Sequence, residues 1–272
     1  MDGTAGRGLR GLEYDVAVFV AITRGVSPAF ASCELTHLER VPIDVDRARA
    51  QHHAYEQALI AAGGLVQQLE TSADLPDSVF VEDIAVVFPE LAIVTRPGAD
   101  SRRAETPAIA HALAAFRSLR EMRPPATIDG GDVLVAGRRV FVGLSTRTNE
   151  AAVAQIRQLL GPYGYTVCPT DVSGCLHLKS AVTAIDDETL LVNRAWIDPP
   201  AFQGFTLIDV DPAEPSAANA LRLDDRVIFP AAFPRTARLL ERRGLRLTLV
   251  DADELAKAEG AVTCCSLIVK QP

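Results

Sequence analysis

No stretch of this 272-residue chain comes near the roughly 18 consecutive apolar residues of a membrane-crossing helix, which argues against a helical membrane protein. The first fifteen residues mix Gly and Arg without an apolar h-region, so they do not have the form of a signal peptide. A cytoplasmic protein with a loose extension over 1–14 is expected. Cysteine is scarce and unpatterned: Cys33, Cys168, Cys175, Cys264 and Cys265 are odd in number and lack CxxC spacing, so free thiols are expected rather than a disulfide framework. On an extended strand Cys264 and Cys265 point to opposite faces, so only one of them can serve a given pocket, which argues against a metal site built from both. Basic excess is lacking too. With 27 Lys and Arg against 35 Asp and Glu the net charge is −8, a poor field for nucleic acid and a better one for a small cation. What is present is ordinary globular composition, 48% hydrophobic and 23% charged, enough for a large core.

Asp44 precedes a run in which Val45, Ala48, His52, Tyr55, Leu59 and Ala62 recur at helical spacing, and Gly63-Gly64 follows it, so an amphipathic helix capped at both ends is expected. A strand at 65–70, a loop with Pro76 and Asp77, a strand at 79–88 and a partner at 91–96 come next. The order returns as a helix at 103–121 with a hairpin at 132–144, then a helix at 149–160 with strands at 164–169, 178–185 and 189–193. A weaker fourth round has a short turn at 199–204 and strands at 205–210, 217–223 and 226–230, the last two joined at Asp224-Asp225. The fifth has a helix at 234–243, a strand at 245–250, a short helix at 251–258 and a strand at 262–269. That last strand lacks a hairpin partner, which the strand at 15–22 supplies if the array closes into a ring and so removes its exposed edges. The expected fold is α/β: a five-bladed propeller of ββαβ-type units in one domain over 15–272, with a period of about 45 residues. A generic α/β sandwich is the alternative.

In equivalent units, the residues that begin each second strand converge near the axis. They are Asp83, Asp129 to Asp132, His177, Asn219 and Cys264. Carboxylates for a cation, an imidazole for protons and a thiol for attack are what covalent hydrolysis of a cationic carbon requires. Each has a plainer reading: Cys264 as a buried small hydrophobe, His177 as a core histidine, Asp129-Gly130-Gly131-Asp132 as a turn into a strand. Glu82-Asp83 is harder to set aside, because two carboxylates inside an apolar strand call for a cation against them. Arg102, Arg103 and Arg147 lie on loops after strands, where a carboxylate clamp can form.

Six segments together closely resemble the dimethylarginine dimethylaminohydrolases, guanidino-group modifying enzymes with the pentein fold. They are Leu-Pro-Asp-Ser-Val-Phe-Val-Glu-Asp at 75–83, Thr-Arg-Pro-Gly-Ala-Asp-Ser-Arg-Arg at 95–103, Asp-Gly-Gly-Asp-Val-Leu at 129–134, Phe-Val-Gly-Leu-Ser-Thr-Arg-Thr-Asn at 141–149, Leu-His-Leu-Lys-Ser at 176–180 and Glu-Gly-Ala-Val-Thr-Cys-Cys-Ser-Leu at 259–267. The resemblance implies Cys264 as nucleophile, His177 as general acid and base, and Asp129 as the acid that supports the histidine. It implies Asp77 and Asp83 on the guanidinium, Glu82 at a neighbouring substrate position, and Arg102 and Arg147 on the amino-acid end. Leu35 and Ala258 match substrate-lining positions more loosely.

The implied reaction is hydrolysis of N-omega-methylated arginine, asymmetric dimethylarginine or monomethylarginine, to citrulline and a methylamine through a covalent Cys264 intermediate. The implied partner is a small cationic guanidino amino acid. No metal or organic cofactor, nucleic acid or membrane is called for, and a homodimer is admissible. Arginine deiminases and other guanidine hydrolases or amidinotransferases of the same fold are the alternative, followed by a pentein-fold binding protein without catalysis. The chain departs from the family at Cys33-Glu34-Leu35-Thr36-His37, a segment expected near the entrance as a lid, and Arg194-Ala195-Trp196 has no assigned role.

Overall fold

Asp44 caps the first long helix as its place before the amphipathic run predicts: its carboxylate accepts a hydrogen bond from the Arg47 backbone N–H, and α1 spans Val45–Ala61. The computed structural model describes residues 18–270, so the predicted extension at 1–14 and the start of the first predicted strand lie outside the described residues. Gly63 ends the helix with φ 92, a left-handed conformation that glycine adopts without a steric penalty.

The described residues form five three-stranded sheets, each an antiparallel pair extended by a parallel strand. In the first full unit β3 (Ala85–Val87) pairs with β4 (Leu91–Val94), and α2 (Thr106–Leu113) carries the chain over to β5 (Ser118–Glu121), parallel to β4. The second has β6 (Val133–Ala136), β7 (Arg139–Leu144), α3 (Glu150–Leu160) and β8 (Thr166–Asp171). In the third, a single-turn helix α4 (Leu178–Ala181) leads into β9 (Val182–Ala184) and β10 (Thr189–Val192), and a 3-10 turn at Pro199–Phe202 stands where the other units have a crossover α-helix before β11 (Thr206–Asp209). The fourth has β12 (Leu221–Leu223), β13 (Arg226–Pro230), α5 (Pro234–Arg242) and β14 (Arg246–Val250), with Asp224 at φ 52 in the hairpin turn.

The remaining sheet joins the two ends of the chain. β15 (Leu267–Lys270), which follows the short helix α6 (Asp253–Ala256), pairs antiparallel with β1 (Phe19–Arg24) from Phe19 opposite Lys270 to Ile22 opposite Leu267. β1 in turn pairs parallel with β2 (Gly64–Leu69). The predicted closure is therefore present, and the fold is the five-unit α/β propeller.

Several predicted elements divide differently. The helix expected at 103–121 is a 3-10 turn at Asp100–Glu105, then α2, then β5, because pairing with β4 outweighs the helical preference of Leu119, Arg120 and Glu121. The strands expected to begin at 79, 178, 217 and 262 begin later, at Ala85, Val182, Leu221 and Leu267. In each case a tight turn comes first, closed by a local hydrogen bond: Asp83 N to Phe80 O, Ser180 N to His177 O, Ala217 N to Glu214 O and Cys264 N to Ala261 O. The turns let the backbone present polar side chains at the axis before the strand leaves it. Glu82 N donates to Cys264 O at 3.1 Å and ties two of these turns together across the ring.

Apolar residues fill the spaces between blades. Val20 and Ile22 of β1 pack with Ile84, Ile109, Leu113 and Leu267, and the Phe141 ring lies 4.6 Å from that of Phe202. Among the described residues no helix is long and apolar enough to cross a membrane.

Candidate active site

Of the residues that the resemblance assigns to the site, all except Leu35 and Glu82 line one small cavity at the axis, together with Glu34, Phe80, Leu176, Glu259 and Gly260, whereas Asp132, Asn219 and Arg103 do not line it. Its volume is about 20 Å³, room for one water and too little for an arginine side chain.

His177 stands at the N-terminal end of α4 and is 4% exposed, its ring held between two carboxylates. Nε2 is 3.0 Å from Asp129 Oδ2, a hydrogen bond, while Nδ1 is 3.7 Å from Asp83 Oδ1, too long for one. Burial alone would depress the imidazole, but the field of Asp83, the hydrogen bond to Asp129 and the nearby Asp132 outweigh it and raise the pKa to about 9. His177 is therefore an imidazolium at neutral pH. Asp129 is the other half of this pair: against the opposing effect of burial, the His177 hydrogen bond and charge hold its carboxyl below the usual range. Its second oxygen accepts from Gly98 N at 2.9 Å.

The close approach of these groups depends on Gly131. A Cβ there would lie 2.6 Å from His177 Nδ1 and 2.8 Å from Asp83 Oδ1, and the Gly131 N–H itself donates to Asp83 Oδ1 at 3.2 Å. Asp132 fixes the same turn from below: Oδ1 accepts from Leu178 N at 2.9 Å, and Oδ2 accepts from the Ser145 and Thr148 hydroxyls at 2.6 Å each. One ligand atom each from Asp83, Asp129 and His177 falls within 4.8 Å, but these atoms are committed to one another, to Arg102 and to backbone N–H groups.

Arg102 is buried, at 5% exposure, and makes five hydrogen bonds to protein acceptors. Nη1 reaches Asp83 Oδ2 at 2.5 Å, Nε and Nη2 grip Glu105 at 3.0 and 2.7 Å, and Nη2 also reaches the Asp77 and Phe80 carbonyls at 3.1 and 2.9 Å. A loop-borne clamp for a substrate carboxylate, as expected from the sequence, is not its arrangement here; at most one guanidinium N–H is uncommitted. Arg147 is less buried and donates to Thr36 Oγ1 at 3.0 Å, with Glu34 at 3.4 Å.

Cys264 lies in the turn before β15. Burial pushes its thiol well up, and the Glu82 and Asp83 carboxylates push it further, so in the free protein it is protonated. Cys265 is 1% exposed and its thiol donates to Ala261 O at 3.5 Å, so only Cys264 of the pair lines the cavity, although both lie in a turn and not on the expected strand. Glu82 turns away from the cavity. Lys179 Nζ meets its Oε1 at 2.5 Å and the Thr263 hydroxyl donates to Oε2 at 2.8 Å, while Asn219 braces Thr263 from both sides. Burial raises the Glu82 carboxyl even so, with Lys179 opposing. The cations that the adjacent carboxylates required are thus Lys179 for Glu82 and Arg102 for Asp83.

Asp77 is also raised, to about 6, chiefly by burial and despite Arg102 and the Glu34 N–H. That N–H belongs to the segment 33–42, which crosses the cavity as a strap. Leu35 is partly buried there against the apolar cluster that contains Cys264 and does not line the cavity. Glu34 and Glu259 were not singled out from the sequence, although both fall inside segments that were: the divergent 33–37 stretch and the Glu-Gly-Ala-Val-Thr-Cys motif.

The profile of the eukaryotic N,N dimethylarginine dimethylhydrolase family matches residues 37–198. An N(G),N(G)-dimethylarginine dimethylaminohydrolase of Streptomyces coelicolor is 42% identical over 253 residues, spanning 92% of this chain and 97% of that protein. The one from Pseudomonas aeruginosa is 35% identical over 226 residues, 82% of this chain and 89% of that one. A solved structure of the Pseudomonas aeruginosa enzyme, a cysteine-to-serine variant complexed with citrulline, superposes with a TM-score of 0.88 at 32% identity, covering 93% of this chain and 100% of that one. The N-terminal domain of ArgZ, a cyanobacterial arginine dihydrolase, superposes with a TM-score of 0.80 at 18% identity, over 93% of this chain and 99% of that one, and shares the fold. With a relative 42% identical across nearly its whole length and the pentein fold, the chain belongs to the dimethylarginine dimethylaminohydrolase family.

Proposed function

We propose that the protein hydrolyses the guanidinium group of N-methylated arginine to citrulline and a methylamine in the cytoplasm, as a single catalytic domain over 15–272. The observation that carries this reading is one cavity lined by a thiol, an imidazolium and two carboxylates, Cys264, His177, Asp83 and Asp77. Family membership supports it.

The guanidinium carbon is a resonance-stabilised cation that resists water, and a thiolate is the nucleophile suited to it. In the free protein the carboxylates beside Cys264 oppose ionisation. A guanidinium against Asp83 and Asp77 neutralises that field and adds a positive charge, so the thiol releases its proton to water once substrate is bound. The thiolate then forms a C–S bond. The C–N bond to the methylated nitrogen breaks, with its electron pair leaving on nitrogen and a proton supplied by His177. The Nδ1 side of the ring suits this transfer, because Asp129 already engages Nε2 and the 3.7 Å gap to Asp83 leaves Nδ1 without a hydrogen-bond partner there. Neutral His177 next takes a proton from the incoming water as its oxygen bonds to the carbon; the C–S bond then breaks, and the adduct's hydroxyl proton passes to the departing sulfur, restoring the thiol and leaving the ureido carbonyl of citrulline. The residues need no further cofactor for this sequence. Arg147 is the cation available to the amino-acid end, and Ala258 lines the cavity beside it.

The test is citrulline formation from asymmetric dimethylarginine, monomethylarginine and arginine, measured on the wild type, Cys264→Ser and Cys265→Ser. Turnover of the methylated substrates that Cys264→Ser abolishes and Cys265→Ser retains is the expected result. Preference for arginine would make the enzyme a deiminase, and full turnover by Cys264→Ser would remove the nucleophile assignment.

A further inference from the structure

The strap 33–42 has little of its own to hold it down. Apart from Cys33 and part of Leu35, its side chains are exposed, so burial contributes little and hydrogen bonds set its position. Three of these converge on one side chain: Glu259 Oε2 accepts from Thr36 N at 2.9 Å, and Oε1 accepts from His37 N at 2.5 Å and Leu38 N at 2.7 Å. The other ties are Asp77, which accepts from Glu34 N at 3.2 Å, Arg147, which donates to Thr36 Oγ1, Ser101, whose hydroxyl donates to Glu34 Oε1, and Lys257, which donates to Pro42 O. Asp77 and Arg147 belong to the groups assigned above to the substrate, so an arriving substrate competes with the strap for them. Glu259 is outside that set and alone accepts three of the strap's backbone N–H groups.

The backbone at this position is unusual. Glu259 has φ 59, a left-handed conformation that costs a residue with a Cβ about 1–2 kcal/mol. The next residue, Gly260, is pressed against Phe80 so closely that a Cβ would lie 2.1 Å from the ring. A glycine would sit at 259 with less strain. A carboxylate kept in such a turn, directly beneath three backbone N–H groups, points to a positional task.

We propose that Glu259 is a positioning residue: its carboxylate latches residues 36–38 over the cavity that contains Cys264, and its release admits the substrate. With the latch closed the cavity is about 20 Å³. On the far side of the strap, His37, Leu38 and Val41 roof a groove of about 570 Å³ that shares Leu176, Glu259 and Gly260 with the cavity. Unlatching joins the two, and the joined space is large enough for an amino acid. The turnover part of this inference rests on the proposed function; the latch itself is a property of the free protein.

The test is amide hydrogen exchange on the free wild type, Glu259→Gln and Glu259→Gly, with thermal melting and iodoacetamide modification of Cys264 followed in parallel. Glu259→Gly relieves the backbone, so its melting temperature holds or rises, while exchange at 36–38 accelerates by about 10-fold or more as the charge-assisted bonds are lost. Glu259→Gln retains one acceptor oxygen and falls between the two. Cys264 modification quickens in the same order. Unchanged exchange at 36–38 in both variants overturns the latch, and so does exchange that rises equally in every blade together with a lowered melting temperature. Failure of the wild type to form citrulline would strike the proposed function alone, because the exchange result does not depend on substrate.

Discussion

Arg102 Nη1 lies 2.5 Å from Asp83 Oδ2, with the two side chains 6% and 5% exposed. A buried pair of this kind is stable only as a pair: its charges have lost their water and depend on each other and on Glu105. Arg102 therefore fixes where the Asp83 carboxylate stands beside Nδ1 of His177.

Replacing the guanidinium with an apolar chain, Arg102→Met, leaves Asp83 and Glu105 buried without their cation. The expected cost is about 3–5 kcal/mol of folding stability, read from urea unfolding. A variant that unfolds at the wild-type midpoint and shows only a raised KM would mean that Arg102 holds the substrate carboxylate instead.

His177 gives a pH signature. Its folded pKa, raised to about 9, exceeds the ordinary value of 6.5, so its contribution to stability is complete below 6.5 and is lost as pH rises through 9. The departing amine needs its proton, so kcat falls on the alkaline side of about 9. Nuclear magnetic resonance of the ring should follow the same titration, and Asp129→Asn should move it downward, since the hydrogen bond that favours the cation is weakened. A ring that titrates near 6.5 in the wild type would contradict the burial of three carboxylates around it.

Much of this arrangement was legible in the sequence because it is local or periodic. The cap at Asp44, the hairpin turn at Asp224 and the recurrence of polar residues once per unit depend on neighbours in the chain. The first of the strand starts was misplaced because Val79-Phe80-Val81 and Ile84-Ala85-Val86-Val87 form a near-continuous apolar run broken only by Glu82-Asp83, whereas the turn that holds Asp83 is set by its bond to Phe80 O and by Glu82 N reaching Cys264 O in another blade. Periodicity carries no trace of such a contact. The commitment of Arg102 to Glu105 lay within three residues, yet its meaning depended on Asp83, 19 residues away. Glu259 was beyond reach in the same way: its partner His37 is 222 residues distant.

Gly131 offers a test of positioning that leaves the fold alone. Its φ is not in the left-handed region, so alanine meets no backbone strain there, only His177 and Asp83 at less than 3 Å from the added Cβ. Moving either group by a few tenths of an ångström or more disturbs the proton transfer geometry. Gly131→Ala is expected to lose on the order of 10²-fold in kcat with a far smaller change in melting temperature. Wild-type kcat in that variant would show that the ring and carboxylate need not be so close.

Glu82 separates a support role from a substrate role. If it holds up the turn of Cys264, the carboxylate, Lys179 and Thr263 behave as one unit, and removing either charge alone leaves the other stranded in a site where the side chains are 10% and 15% exposed. Lys179→Met and Glu82→Gln should then each destabilise the protein in urea, by about 1–3 kcal/mol given the partial exposure, and the double variant should be less destabilised than the two losses added together. A substrate contact predicts the opposite pattern: Glu82→Gln would raise KM with stability intact, and the double variant would show no coupling. The geometry favours the first, because both oxygens of Glu82 already face Lys179 and Thr263 rather than the cavity that His177 and Cys264 share.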